Sequence, residues 1–146
     1  MQPEISLDIP ETRLMVPELI KTRLQRLNRP NDVQVDLPRF QDTLSMVCDA
    51  HDPNGYCFLA LFMRECDADL LAFDAALPGA AATSKICHKW IGRCAQLGLV
   101  GLERRGRQLQ AMAKGGVPEE MMREMVELME EELEMVRVAL QYMHIY

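Results

Sequence analysis

The stretch TSKICHKWIGRCAQLGLVGLERRGRQLQAMA, residues 83–113, organises the rest of the chain. Its first half, residues 83–97, predicts an amphipathic helix, for which Thr83 or Ser84 can serve as the N-cap. Its second half, residues 99–113, holds two short apolar-rich runs around Arg105-Gly106, and this pattern predicts a β-hairpin. A basic helix followed by a basic hairpin indicates a winged helix-turn-helix.

Residues 89–100, KWIGRCAQLGLV, resemble the end of the recognition helix in the MarR family, which commonly reads basic-Trp-Ile-x-Arg-Leu-Glu-x-x-Gly-Leu-Val/Ile. Residues 112–116, MAKGG, are similar to the Leu-Thr-x-x-Gly stretch that follows the wing there. The chain departs from the family in lacking its acidic-x-Arg-Arg wing signature and in placing Gly92 inside the recognition helix. The resemblance implies a DNA-binding transcriptional regulator, a repressor by analogy.

The expected fold is mainly α with a small β-hairpin wing, a winged helix-turn-helix with long terminal dimerisation helices, in one domain over residues 1–146. Residues 1–50 hold N-terminal helices, among them an amphipathic helix at 12–27, and a short strand is predicted at 33–37. The helix-turn-helix core covers 56–113, with an apolar helix at 56–65, a further short helix to Leu77 that Asp67 or Asp69 can cap, and Pro78-Gly79 at its turn. Residues 117–146 predict one long helix, and its wide apolar stripe favours a homodimer.

The charge distribution restricts where nucleic acid can bind. The formal net charge of −6 argues against binding over the whole surface. Almost every charge between Lys85 and Lys114 is positive, whereas glutamates dominate after Val117. Screening confines each field to roughly 8 Å at physiological salt, so a local basic patch can still bind phosphates.

Double-stranded DNA is therefore the expected partner, read by the 83–97 helix and the 99–113 wing. The alternative is a solvated helix face followed by a polar turn. The candidate DNA-binding residues are Thr83, Ser84, Lys85, His88, Lys89, Arg93, Arg104, Arg105 and Arg107.

The five cysteines are an odd number scattered through predicted helices, which favours free thiols in a reducing compartment and hence a cytoplasmic protein. Cys87 and Cys94 are candidate redox residues, with burial as small hydrophobes as the alternative. Zinc-type ligands occur around residues 48–66, but their spacing is poor, so we predict no metal and no cofactor. We expect neither a membrane span nor a secretory signal, because no long apolar run is visible.

No enzyme signature occurs in the sequence, so we predict a non-enzyme. Two alternatives to DNA binding stay open. One is a winged-helix protein-protein interaction module, and the other is a thiol- or metal-responsive sensor. A small-molecule effector would fit a regulator, and the sequence identifies none.

Overall fold

The computed structural model describes residues 36–52 and 55–142 of the chain. These residues form five helices and no β-strand: α1 Leu37–Val47, α2 Tyr56–Ala76, α3 Ala80–Gln96, α4 Val100–Gly115 and α5 Glu119–Tyr142. The predicted helix at 12–27 lies outside the described residues. So does the predicted strand at 33–37, apart from its last two residues. None of the described helices has the length and apolar character needed to cross a membrane.

Helices α2 to α5 form an antiparallel bundle in which each helix packs on the next, and α5 returns to α2. Pairs between the start of one helix and the end of another show that neighbouring helices run in opposite directions. Ser84 near the start of α3 meets Gln110 near the end of α4. Arg123 near the start of α5 meets Asp74 near the end of α2. The buried centre contains Phe73, Trp90 and neighbouring apolar side chains from all four helices. Short connections between consecutive helices are the usual source of this arrangement.

The predicted wing is wrong, because residues 100–115 form helix α4. Its buried positions Gly101, Leu102, Arg105, Gly106, Leu109 and Ala113 recur at intervals of one, three or four residues, which is the spacing of a helix face. Gly106 is a packing residue and makes no turn: a Cβ there would stand 2.6 Å from Trp90 Cδ1. The missing side chain lets Trp90 approach α4, where its indole N–H donates to the Leu102 carbonyl oxygen at 2.9 Å.

Two other helix boundaries differ from the expectation. Residues 56–76 form one continuous helix, although the sequence suggested a break near Asp67 or Asp69. Helix α3 begins at Ala80 after Gly79, so neither Thr83 nor Ser84 is its N-cap. In the described residues, the Thr83 hydroxyl is buried without a hydrogen-bond partner.

Helix α1 lies at the C-terminal end of α3. Arg39 donates from Nη1 to the Ala95 carbonyl, and Thr43 donates to the Gln96 carbonyl. The carbonyls of the last turn of a helix lack partners one turn further along, so α1 supplies donors there, and the Ala95 carbonyl also accepts from the Gly98 N–H at 3.0 Å. Gly98, with φ of 70°, then turns the chain into α4. A Cβ on Gly98 would stand 2.6 Å from the Asp36 carbonyl oxygen, so the position has no room for a side chain.

Candidate functional site

The candidate DNA-binding arginines are largely engaged by carboxylates of the chain itself. Arg93 on α3 bonds Asp69 on α2, and its Nε lies 3.2 Å from Glu65 Oε1. Arg105 is buried and donates from Nε to Glu132 on α5 at 2.7 Å. Arg107 pairs at 2.9 Å with Glu103 one turn earlier on α4. Arg104 is half-buried and has interactions of its own.

The buried pair of Asp69 and Arg93 fastens α2 to α3. Burial raises the pKa of Asp69, and the nearby Arg93 and Lys89 charges oppose that rise. Asp69 is almost fully enclosed, and the guanidinium of Arg93 is mostly covered. Because Arg93 is shared between the enclosed Asp69 and Glu65, and only 23% of its side chain is exposed, this contact positions two helices and leaves little cationic surface for a nucleic-acid phosphate.

The remaining α3 candidates form an exposed strip. Lys85, His88 and Lys89 are exposed, and within the described residues none of the three makes a hydrogen bond or an ion pair. Ser84 is half-buried, and the Gln110 amide nitrogen donates to its Oγ at 3.0 Å. The sequence therefore placed four of its candidates on one surface, whereas Thr83, Arg93 and Arg105 point into contacts with the bundle.

His88 stands in a shallow surface depression between α3 and α4. Its lining consists of Ala81, Ser84, Lys85, His88, Lys89 and Gln110. Helical side chains lean towards the N-terminus of their own helix, so the imidazole leans towards Ser84 and Lys85 in the preceding turn. Ser84 and Lys85 lie four and three residues before His88 on the same face, and the small residue Ala81 lines the depression beyond them.

Gly92 lies one turn after His88 at the centre of the exposed face of α3. A Cβ at this position would meet nothing within 4 Å. Glycine in the exposed interior of a helix costs about 0.5–1 kcal/mol relative to alanine. No packing contact explains the residue, and any larger side chain at position 92 would lean back towards the His88 ring.

Sequence reasoning missed Gly92 and Gln110 as parts of this site. Gly92 was noticed only as a departure from the family pattern. Its signal was nonetheless present: a glycine within a helix pattern, on the polar face, four residues after a histidine. Gln110 had no such signal, since it lies 26 residues from Ser84 in the chain and reaches it only through the α3–α4 packing.

The candidate redox residues are both fully buried. Burial, followed by the charge of Asp69, raises the pKa of Cys87 to about 12. Burial and the contact with Cys66 raise the pKa of Cys94. The thiolate is the reactive form of cysteine, so both thiols are held in their unreactive form. Among the described residues, no group of three His, Cys, Asp or Glu side chains could hold a metal ion.

Comparison of the chain with models of protein families, with curated proteins and with solved structures gives no match.

Proposed function

We propose that the protein is a histidine phosphotransfer module, which accepts a phosphoryl group on His88 from one partner protein and passes it to another. The observation that carries the proposal is the pairing of exposed His88 with Gly92, whose missing side chain leaves the ring accessible at a cost in helix stability. A neutral imidazole has one ring nitrogen with a free lone pair, and histidine is a known covalent nucleophile.

The charges around the ring suit a phosphoryl group. A phosphoryl group carries close to two negative charges near pH 7. Lys85 and Lys89 stand on either side of the imidazole in the helix sequence, and both ammonium groups are exposed. Their positive charge lowers the electrostatic cost of bringing an anionic donor to the ring and of keeping the product there.

The open shape of the site supports the proposal that a second protein supplies the rest of the chemistry. The depression is open and shallow, so it cannot enclose a small substrate away from water. A donor protein that covers the His88 strip would supply both the phosphoryl group and the exclusion of water. The module itself then carries the group, and the rigid helix bundle presents it in a fixed place.

The chemical step is the transfer of a phosphoryl group from a donor carboxylate to the imidazole of His88. A ring nitrogen of His88 attacks phosphorus, an N–P bond forms, and the bond from phosphorus to the donor group breaks. A donor carboxylate leaves with the electron pair of that bond, and the second ring nitrogen keeps or releases its proton to water. Because the N–P bond is itself reactive, the same group can move on to a carboxylate of the next partner.

The test uses phosphoramidate, a small donor that releases ammonia as it phosphorylates histidine. The wild-type chain should gain one acid-labile, alkali-stable phosphoryl group, seen by intact mass and phosphorus NMR. His88→Gln should gain none. His51→Gln is the matched control, because His51 is also exposed but lies beside Asp49 and Asp52. Equal labelling of His88→Gln and wild type, or no labelling at all, would overturn the proposal.

Duplex DNA binding is the second candidate, favoured by the exposed cations Lys85 and Lys89 on one helix face. Its basis is narrower than the sequence suggested, since Arg93 and Arg105 serve the bundle. Affinity for B-DNA falls with salt with a logarithmic slope of about 0.9 for each phosphate neutralised. Electrophoretic mobility at two salt concentrations measures that slope, and a slope near zero would remove this candidate.

A further inference from the structure

Ser84 precedes His88 by one helical turn and is tied to the neighbouring helix. The Gln110 side-chain nitrogen donates to Ser84 Oγ at 3.0 Å and to the Ser84 carbonyl oxygen at 3.3 Å. Both residues are half-buried and both line the depression that contains His88. The amide of Gln110 therefore fixes one side of the serine hydroxyl at the edge of the candidate site.

The serine hydroxyl retains its own proton for another partner. A hydroxyl has one donor and two acceptor lone pairs, and Gln110 occupies one of the lone pairs. A serine within a helix commonly donates to the carbonyl one turn earlier. Within the described residues the Ser84 hydroxyl donates to no such carbonyl and to no other acceptor.

The position of His88 one turn after Ser84 places that donor near a phosphoryl group on the ring. A helical side chain leans towards the N-terminus of its own helix, so the imidazole of His88 leans towards Ser84. Side chains four residues apart on a helix have Cβ atoms about 5–6 Å from each other. A phosphoryl group on the ring would therefore lie near Ser84, in the depression that Ser84, His88 and the small residue Ala81 line together.

We infer that Ser84 donates a hydrogen bond to the phosphoryl group carried by His88, and that Gln110 is the positioning residue that holds Ser84 for this purpose. The inference rests on the proposed phosphotransfer function and adds the binding of the phosphoryl oxygens to it. Gln110 acts only through Ser84, so removal of both residues should cost no more than removal of Ser84 alone.

The experiment measures the rate of His88 phosphorylation by phosphoramidate in the full chain. Loss of a hydrogen bond to a charged group corresponds to about a tenfold effect, so Ser84→Ala should be slower by about that factor. Ser84→Thr keeps the hydroxyl and should restore most of the rate. Gln110→Leu should be slower by a smaller factor, and Gln110→Leu should have no further effect in the Ser84→Ala background.

Gln108→Leu is the matched control, since Gln108 is an exposed glutamine on the same helix, two residues away and on a different face. It should be phosphorylated on His88 at the wild-type rate, and melting temperatures of all variants check that the bundle is intact.

Wild-type rates in Ser84→Ala would overturn the role of Ser84 and leave the proposed function standing. Independent, multiplying losses from Ser84→Ala and Gln110→Leu would overturn the positioning role of Gln110. Failure of the wild type to be labelled on His88 would overturn the function itself.

Discussion

Gly92 and Gly106 are both helical glycines, one on each helix of the α3–α4 pair, yet their surroundings are opposite. A Cβ at Gly106 would stand 2.6 Å from Trp90 Cδ1 and 3.0 Å from Ile91 Cγ1. A Cβ at Gly92 would meet nothing within 4 Å. The first glycine is required by packing between the helices. The second makes no packing contact and lies one turn after the exposed His88.

The cations of the same two helices divide in the same way. Arg105 lies on the inner face and pairs with Glu132, and only 10% and 5% of the two side chains are exposed. Arg107 lies on the outer face, where its side chain is 62% exposed, and pairs with Glu103. The comparison shows that positive charge on the inner face holds the bundle together. Lys85 and Lys89 on α3 are exposed as well, so they and Arg107 are accessible to another molecule.

The largest effect should come from the buried ion pair. Glu132→Ala removes the carboxylate that bonds the buried Arg105 guanidinium, and breaking a buried pair in this way costs about 3–5 kcal/mol of unfolding free energy. Arg107→Gln, which removes the 62% exposed partner of the outer pair, should change it by less than about 1 kcal/mol. Urea denaturation of both variants measures the difference. Equal losses would show that the inner and outer faces do not differ as described.

The next effect concerns the inner glycine. Gly106→Ala places a methyl group against the Trp90 ring, and relief of such crowding typically costs about 1–3 kcal/mol. The helix propensity of alanine should recover about 1 kcal/mol of that loss. We expect a lower melting temperature and a changed tryptophan fluorescence, because Trp90 is the only tryptophan in the chain. A variant more stable than wild type would contradict the packing role of Gly106.

The contacts of Gly106 explain why the sequence predicted helices α3 and α5 correctly but predicted a wing in place of α4. The apolar spacing from Ile86 to Leu97 predicted helix α3, and the pattern after Pro118 predicted α5, since both follow from local periodicity. The wing failed because Arg105-Gly106 has the composition of a turn. Only the approach of Trp90, which is distant in the chain, shows that Gly106 is a helical packing residue.

The sequence predicted only part of the candidate site, because contacts between helices are not visible in local spacing. The sequence located the exposed residues Lys85, His88 and Lys89, because their helical phase follows from the spacing. It gave the same role to Arg93 and Arg105, whose partners are 24 and 27 residues away. Charge sign along the chain cannot distinguish a free cation from a paired one when the partner lies on another helix.

The outer glycine gives the third prediction. Gly92→Ala should raise the unfolding free energy by about 0.5–1 kcal/mol, because alanine favours the helix and meets no obstacle. Gly92→Leu should also stabilise the helix, while its side chain leans over the His88 ring and slows phosphorylation by phosphoramidate. Thermal unfolding and phosphorylation rates are measured on the same samples. Unchanged phosphorylation in Gly92→Leu would show that the missing side chain does not serve access to His88.

The smallest effect concerns the lysines that flank the ring. Lys85→Gln removes one exposed positive charge one turn from His88, and an exposed charge pair is worth about 0.2–1 kcal/mol. Phosphorylation of His88 should therefore slow by about 1.4- to fivefold at low salt. The difference in rate from wild type should shrink as salt rises, because dissolved ions screen an interaction between exposed groups.

Arg64→Gln removes the same charge from an exposed position on α2, so it should leave the rate unchanged at every salt concentration. A salt-independent loss in Lys85→Gln would mean that the lysine acts through the local structure of α3. An equal loss in Arg64→Gln would mean that the overall charge of the protein, and not the placement of cations around His88, attracts the donor.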